Sequence, residues 1–288
     1  MAENPKVPQI DLDKVFKEKN PGLYRFLPRF IINLIKKIVH QDELNLILEG
    51  GLGLQGGEFS DFVLEKLNVK LIIKGLENIP STGNFILVAN HPLGGIDGVS
   101  VTGMIWKIRR DFKFIVNDIL YLIPNYKKVF IPVNKLGINT KTDLENIEKI
   151  YASQEAVVIF PAGFCSRKIR GKILDTNWNK SFINKSLRYK RDVIPILVNA
   201  KNSNMFYNIA TLRKWLGIKA NIEMFLLPHE MFVKRGKTIE IIVGKPIKHE
   251  IFSDGKSLKW AETLRYFVYE LEKNPNADIL EFVNKKKK

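Results

Sequence analysis

Cysteine occurs once in the 288 residues, at position 165. That excludes an intrachain disulfide and fits a reducing cytosolic compartment. Histidine occurs only four times, at 40, 91, 229 and 249, in no spacing that resembles a zinc site, so no metal is expected. No apolar run approaches the roughly 18 to 20 residues that span a bilayer. Residues 1–13 carry acids and no signal-type apolar stretch, so the expectation is a soluble or peripheral protein, not an integral one. Also missing are a Gly-x-Ser-x-Gly nucleophile elbow, a phosphate loop and a dinucleotide glycine fingerprint, which argues against serine hydrolases and the usual nucleotide enzymes.

Acids are scarce in two particular places. The whole chain carries a net charge of +16, and residues 160–191 hold nine Lys and Arg against the single Asp175. Such a window expects a polyanion: phosphate, an anionic bilayer or an acidic protein. A solvated basic face is the plainer reading of the same residues. Residues 22–40 contain Arg25, Arg29, Lys36 and Lys37 with no acid, interleaved with Phe30, Ile31, Leu34, Ile35 and Ile38 at helical spacing. Pro28 starts this helix or kinks it. Basic charge beside large apolar side chains suits an interfacial membrane helix, although a stripe packed on the protein's own core reads alike.

From about residue 69 the pattern alternates between strands and helices. Strands are expected at 69–73, 85–88, 113–116, 129–133, 156–160, 193–198, 222–227 and 238–243. Helices are expected at 97–109, 141–152, 178–188, 205–215 and 258–271, with Asn204 as a cap. This predicts an α/β fold: a mixed, largely parallel sheet flanked by helices, with a helical amphipathic N-terminal region. The division expected is 1–68 for the N-terminal membrane-association region and 69–288 for the α/β domain.

The chemistry concentrates in two turns at strand ends. Asn90-His91-Pro92-Leu93-Gly94-Gly95-Ile96-Asp97-Gly98 follows the apolar run 85–89, and its glycines let Asp97 turn back to the His91 imidazole. A histidine held by a carboxylate is a general base for a hydroxyl or thiol. Phe160-Pro161-Ala162-Gly163-Phe164-Cys165-Ser166-Arg167 follows the apolar run 156–159. There Gly163 permits a turn, Ser166 offers a hydroxyl and Arg167 a forked cation suited to phosphate or carboxylate. Loops at carboxyl ends of strands are where open α/β sheets bind ligands. Cys165 is a candidate acyl-cysteine, though a packing role is the commoner one for such a residue.

These two blocks resemble the glycerolipid acyltransferase family, with its Asn-His-…-Asp and Phe-Pro-Glu-Gly-Thr-Arg-Ser motifs. The runs 129–134 and 193–198 match two further blocks in family order, and the likeness covers roughly residues 70 to 248. Three departures stand out: five residues separate His91 from Asp97 where the family commonly has four, Ala162 replaces the glutamate, and Asn134 replaces a substrate-contacting arginine. Asn-His-Pro-Leu-Gly-Gly, Phe-Pro-Ala-Gly, Asp175…Trp178…Phe182 and Asn202-Ser203…Phe206 resemble the hemolysin-like branch, associated with O-acylation of lyso-ornithine and lyso-glycine lipids.

The resemblance implies a bacterial acyltransferase, peripheral at the cytoplasmic face of the inner membrane. It would take acyl groups from acyl carrier protein or acyl-CoA as co-substrate, with no other cofactor. His91 and Asp97 would be catalytic, and Asn134, Gly163, Ser166 and Arg167 would contact substrate. Backbone amides of residues 92–95 and the following helix could meet the oxyanion, and Arg188, Lys190 and Arg191 could steer the donor. The alternatives are a 1-acylglycerol-3-phosphate acyltransferase making phosphatidic acid, and a lipid thioesterase or hydrolase. A non-catalytic nucleic-acid or membrane-coating protein leaves the His-Asp turn unexplained, and no nucleic acid is expected.

Overall fold

A computed structural model describes residues 9–19, 21–117, 120–121, 123–133, 141–218 and 221–285; of the residues expected in the site, Asn134 lies outside the described residues. Nine strands are described: β1 (Lys70–Lys74), β2 (Phe85–Ala89), β3 (Phe112–Asn117), β4 (Phe130–Val133), β5 (Ala156–Ile159), β6 (Arg167–Ile169), β7 (Lys172–Leu174), β8 (Asp192–Asn199) and β9 (Thr238–Val243). Seven of them form one sheet in the order β1-β9-β8-β2-β5-β3-β4. Every neighbouring pair in it is parallel except β8 with β9. The sheet is the mixed, largely parallel one expected. The remaining two strands make the hairpin β6-β7, whose turn residues Arg170 and Gly171 both have positive φ, 48° and 80°. The sequence reading took this stretch only for basic residues.

The helices α1 (Leu12–Lys19), α2 (Pro21–Phe26), α3 (Arg29–Ile38), α4 (Gln41–Gly50) and α5 (Gly57–Lys66) precede the sheet. Then come α6 (Gly95–Trp106), α7 (Lys141–Ala152), α8 (Ser181–Tyr189), α9 (Asn204–Trp215), α10 (Leu227–Val233), α11 (Ser257–Glu270) and α12 (Ile279–Lys285). Strand β2 is buried along its whole length because it is covered on both faces. Phe85, Leu87 and Ala89 join one apolar cluster with Phe59, Leu64 and Met104 from α5 and α6; Ile86 and Val88 join the other with Phe182 and Leu264 from α8 and α11. Period-two alternation thus serves two cores at once, as a central parallel strand requires. Leu48 of α4 belongs to the first cluster too, so the helices before residue 68 share apolar packing with the sheet.

Two local expectations are corrected, and a third, left open at Pro28, is decided. Residues 222–227, expected as a strand, form a 3-10 turn over Ile222–Leu226 that runs into α10, with Pro228 in the first turn of that helix. The apolar run lacks alternation, and its Ile222 and Phe225 point outward while Glu223 is buried. The cap of α9 is Ser203, whose hydroxyl accepts from Phe206 N, so Asn204 is already inside the helix. Pro28 sits at the N-cap of α3 and separates it from α2, so it starts a helix and kinks none.

The basic window also divides. Lys168, Arg170, Lys172, Lys180, Arg188 and Lys190 are exposed, but Arg191 is fully buried. Its guanidinium donates to the carbonyls of Ile150, Tyr151, Ser153 and Glu155, closing the C-terminal end of α7. They lie in and just past the last turn of the helix, where carbonyls run out of intrahelical partners; Ile150 O also accepts from Ser153. Arg191 therefore cannot steer a donor. Replacing it by leucine should strip the Tyr151, Ser153 and Glu155 carbonyls of this donor and cost about 2–5 kcal/mol in chemical denaturation. Lysine should rescue little, because one ammonium cannot reproduce the planar fork.

Candidate active site

Strands β2 and β5 are parallel neighbours, with Val88 opposite Ile159, so the loops that leave their carboxyl ends emerge side by side. That register brings the His91 and Phe160–Ser166 segments together although some 70 residues separate them. The His91 Nδ1 lies 2.9 Å from Oδ2 of Asp97. The same oxygen accepts from Leu93 N at 2.7 Å and Gly94 N at 3.0 Å. Asp97 is in the first turn of α6, where a carboxylate is favoured by the helix dipole. Gly94 has φ of +87°, and a Cβ there would come within 3.0 Å of the Leu227 side chain, so both backbone and packing demand glycine.

The amides of Leu93 and Gly94 were expected to face an oxyanion. They are instead taken up by Asp97, and Pro92 has no N–H to offer. The spacing of five residues between His91 and Asp97 gives the chain room for this double backbone contact.

The His91 ring stacks on Phe160, centroids 4.1 Å apart and 13° from parallel. Burial opposes charging of the imidazole, but the adjacent Cys165 sulfur and the Asp97 carboxylate outweigh it and hold the pKa above its ordinary 6.5. Asp97 is fully buried, and its own pKa is raised by desolvation against the hydrogen bonds it receives. Its Nδ1 contact fixes the imidazole orientation and leaves Nε2 as the basic nitrogen. Cys165 is buried, packed with Phe206 and Tyr207 in a small apolar cluster on one side and adjacent to the His91 ring on the other.

A second buried carboxylate, Asp175, ties the two loops together. Its Oδ1 accepts from the His91 backbone N at 3.1 Å and from Ser166 Oγ at 2.6 Å, and its Oδ2 accepts from Trp178 Nε1 at 2.8 Å. The Ser166 N closes the ring by donating to the His91 carbonyl at 2.7 Å. Tyr269 Oη and Arg265 hold the Asp175 backbone from α11. Sequence reasoning met Asp175 only as part of a resemblance; its role as a cross-tie needs the fold, because its partners come from four segments.

The other expected contacts fall differently. Ser166 is buried, and its hydroxyl donates to Asp175, which also holds the His91 backbone, while the residue lines the cavity beside the dyad. Arg167 points away from the dyad: Nη2 pairs with the fully buried Glu223 at 2.8 Å and Nη1 donates to Cys165 O. Gly163 makes the expected turn, with φ of 69°. Ala162 is packed beside the second apolar cluster. Beside the dyad a cavity of about 390 Å³ opens between the ends of β2 and β8, lined by Asn90, Pro92, Ser166, Asn199, Lys201 and Tyr269. The Asn90 amide bridges both strands there, donating to Val198 O and accepting from Val198 N. Among the described residues, Asp192, His249 and Glu250 could converge on a metal, but Asp192 already receives Lys248 and His249.

Replacing Asp175 by asparagine keeps one acceptor oxygen and puts an NH2 donor in place of the other, opposite the Trp178 indole or the His91 amide and Ser166 hydroxyl. Turnover should fall about 10- to 100-fold, as when an orienting partner of a working imidazole is lost. The His91 pH profile should shift with it, a readout that mere loosening of the fold would leave in place.

A family model described as Acyltransferase matches residues 14–277. The lyso-glycine lipid O-acyltransferase of Bacteroides thetaiotaomicron is 41% identical over 265 residues, covering 91% of this chain and 97% of that protein. Its counterpart in Phocaeicola vulgatus is 40% identical, covering 91% and 95%. Among solved structures, the 1-acyl-sn-glycerophosphate acyltransferase PlsC of Thermotoga maritima superposes with a TM-score of 0.43 at 19% identity, covering 85% of this chain and 98% of its own. With the family model spanning nearly the whole chain and relatives 40% and 41% identical along its length, the chain belongs to the acyltransferase family and is an enzyme that transfers acyl groups.

Proposed function

We propose that this enzyme moves a fatty acyl group from a thioester, carried by acyl carrier protein or coenzyme A, to the hydroxyl of a lyso-aminolipid. The observation that carries the chemistry is the contact between the His91 imidazole and the fully buried Asp97 carboxylate, beside a cavity lined by the neighbours of His91, Asn90 and Pro92. The acceptor class is supported by two full-length relatives named lyso-glycine lipid O-acyltransferases. His91 Nε2 takes the proton of the acceptor hydroxyl as its oxygen attacks the thioester carbonyl. Asp97 stabilises the imidazolium. Collapse of the tetrahedral intermediate breaks the C–S bond, and the imidazolium returns its proton to the departing thiolate. One ester replaces one thioester, with no covalent enzyme intermediate and no metal.

His91→Ala should lower turnover about 100- to 10,000-fold, the usual worth of a general base. Purified protein assayed with a lyso-glycine lipid and acyl carrier protein thioester, read by mass spectrometry of the product, decides it. Wild-type rates in a folded His91→Ala protein would overturn the mechanism. The base must be neutral to act, so activity should rise with pH through a midpoint above 6.5, where His91 loses its proton. Asp97→Asn removes the anionic partner and should lower both the plateau and that midpoint.

The exposed part of the basic window fits an acidic carrier. Arg188→Glu with Lys190→Glu should raise KM for the carrier-bound donor and leave kcat nearly unchanged, with the effect fading at high salt. Measuring this in detergent separates carrier docking from attachment to anionic lipid. No helix among the described residues is long and apolar enough to cross a membrane. Peripheral attachment at the cytoplasmic face of the inner membrane, through α2 and α3, is part of the same reading. Phe26 and Phe30 are 84% and 71% exposed on that basic segment.

A further inference from the structure

The segment that was expected as a strand carries an unexplained surface. From the C-terminal half of α9 through the following 3-10 turn, Leu212, Trp215, Leu216, Ile218, Ile222 and Phe225 are 53%, 80%, 55%, 39%, 41% and 50% exposed. Six large apolar side chains on one short elbow exceed the scatter of single exposed hydrophobes that any surface shows. The charge around them has one sign. No acid occurs between Lys201 and Ile222, and the next, Glu223, is fully buried between Arg167 and Arg213, at 2.8 Å from each. Lys214 stays exposed among the apolar residues. The elbow also adjoins the amphipathic N-terminal helices: the Phe16 ring of α1 lies 6.4 Å from Phe225, and α3 packs against the 3-10 turn.

We infer that this α9 elbow is a second membrane-docking element, which enters the headgroup layer of an anionic bilayer beside α2 and α3. Trp215 is its most exposed member, and indole suits the interface because its body is apolar and its N–H stays wet. Charge complementarity selects the occupant: the segment from α9 to the 3-10 turn exposes Lys214 and keeps its one acid, Glu223, buried, which suits anionic lipid, whereas a second copy of this +16 chain would bring like charge to the same face. The elbow is rigidly tied to the site. Glu223 joins it to Arg167, the residue after Ser166, and α10 continues from it to place Leu227 against Gly94 beside Asp97. Docking the elbow therefore sets the cavity at a fixed depth and tilt to the lipid surface. The purpose of this contact rests on the lyso-lipid reading; the contact itself is measurable without turnover.

The test uses the full chain and vesicles of phosphatidylcholine with phosphatidylglycerol. Trp215→Ser with Leu216→Ser should weaken cosedimentation about tenfold or more, and the loss should persist in salt because it is apolar. Quenching of tryptophan fluorescence by bromolipid in the wild type should largely vanish in Trp215→Ser. Trp215→Phe, which keeps an aromatic anchor, should retain vesicle binding while losing that quenching. Turnover of a detergent-solubilised acceptor should be unchanged in all these variants, which shows the fold intact. Unaltered vesicle affinity in the double variant overturns the inference, and so does sedimentation equilibrium showing that these substitutions dissociate a dimer instead. A wild type that binds vesicles through Trp215 yet transfers no acyl group in detergent would sink the proposed chemistry and leave the elbow standing.

Discussion

The arrangement around His91 depends on one buried carboxylate that does not touch the imidazole ring. Asp175 sits between two loops whose strands are paired but whose backbones beyond the strands have no ladder to hold them. Its oxygens gather the His91 amide, the Ser166 hydroxyl and the Trp178 indole. A neutral side chain could not accept from all three as strongly, since bonds to an ionised acceptor are roughly twice as strong as neutral ones. Burial raises the Asp175 pKa, and the three donors oppose that rise. The cross-tie and the dyad are separate carboxylates with separate tasks: one orients the loop that carries the histidine, the other orients its ring.

The second motif takes part in the same division by holding the histidine loop in place. Phe160 supplies a stacking face for the imidazole, Ser166 clamps the His91 backbone, and Arg167 turns into the interior to meet Glu223. A buried pair of this kind contributes little net stability, because desolvation offsets most of the attraction. Removing one partner is another matter, since it strands a charge in the core. The Arg167–Glu223–Arg213 group is thus best understood as a device that fixes the geometry of β6, α9 and the turn between α9 and α10 relative to one another.

Much of the sheet was legible because burial on both faces leaves a signature. The runs at 85–89, 156–159 and 193–198 are short, apolar and bounded by turn residues, and each is an interior strand of the mixed, largely parallel sheet. The His-Asp turn was legible for a similar reason: glycines between two polar residues announce a chain that doubles back. Residues 222–227 read as a strand on the same criterion of apolarity. In the fold Ile222 and Phe225 face outward while Leu226 and Leu227 pack on the Cys165, Phe206 and Tyr207 cluster, and sequence alone does not distinguish an apolar surface from an apolar core.

Charges were the least legible feature, because a count of cations says nothing about where their partners are. Arg191 and Arg167 lie in the same basic window as Lys190 and Lys168, yet the first pair is buried and the second exposed. The difference follows from strand geometry. Arg167 opens β6 and Arg191 immediately precedes β8, so each enters the fold at a point where a neighbouring helix or turn presents unsatisfied acceptors. Arg191 meets the frayed carbonyl end of α7, and Arg167 meets Glu223. Only a guanidinium offers enough planar donors to satisfy several acceptors from one position. Of the lysines between them, Lys168, Lys172, Lys180 and Lys190 remain at the surface, and the half-buried Lys185 pairs with Glu148. What the chain displays to an anionic partner is therefore the lysine-rich remainder of the window together with Arg170 and Arg188, a smaller and more lateral patch than the sequence suggests.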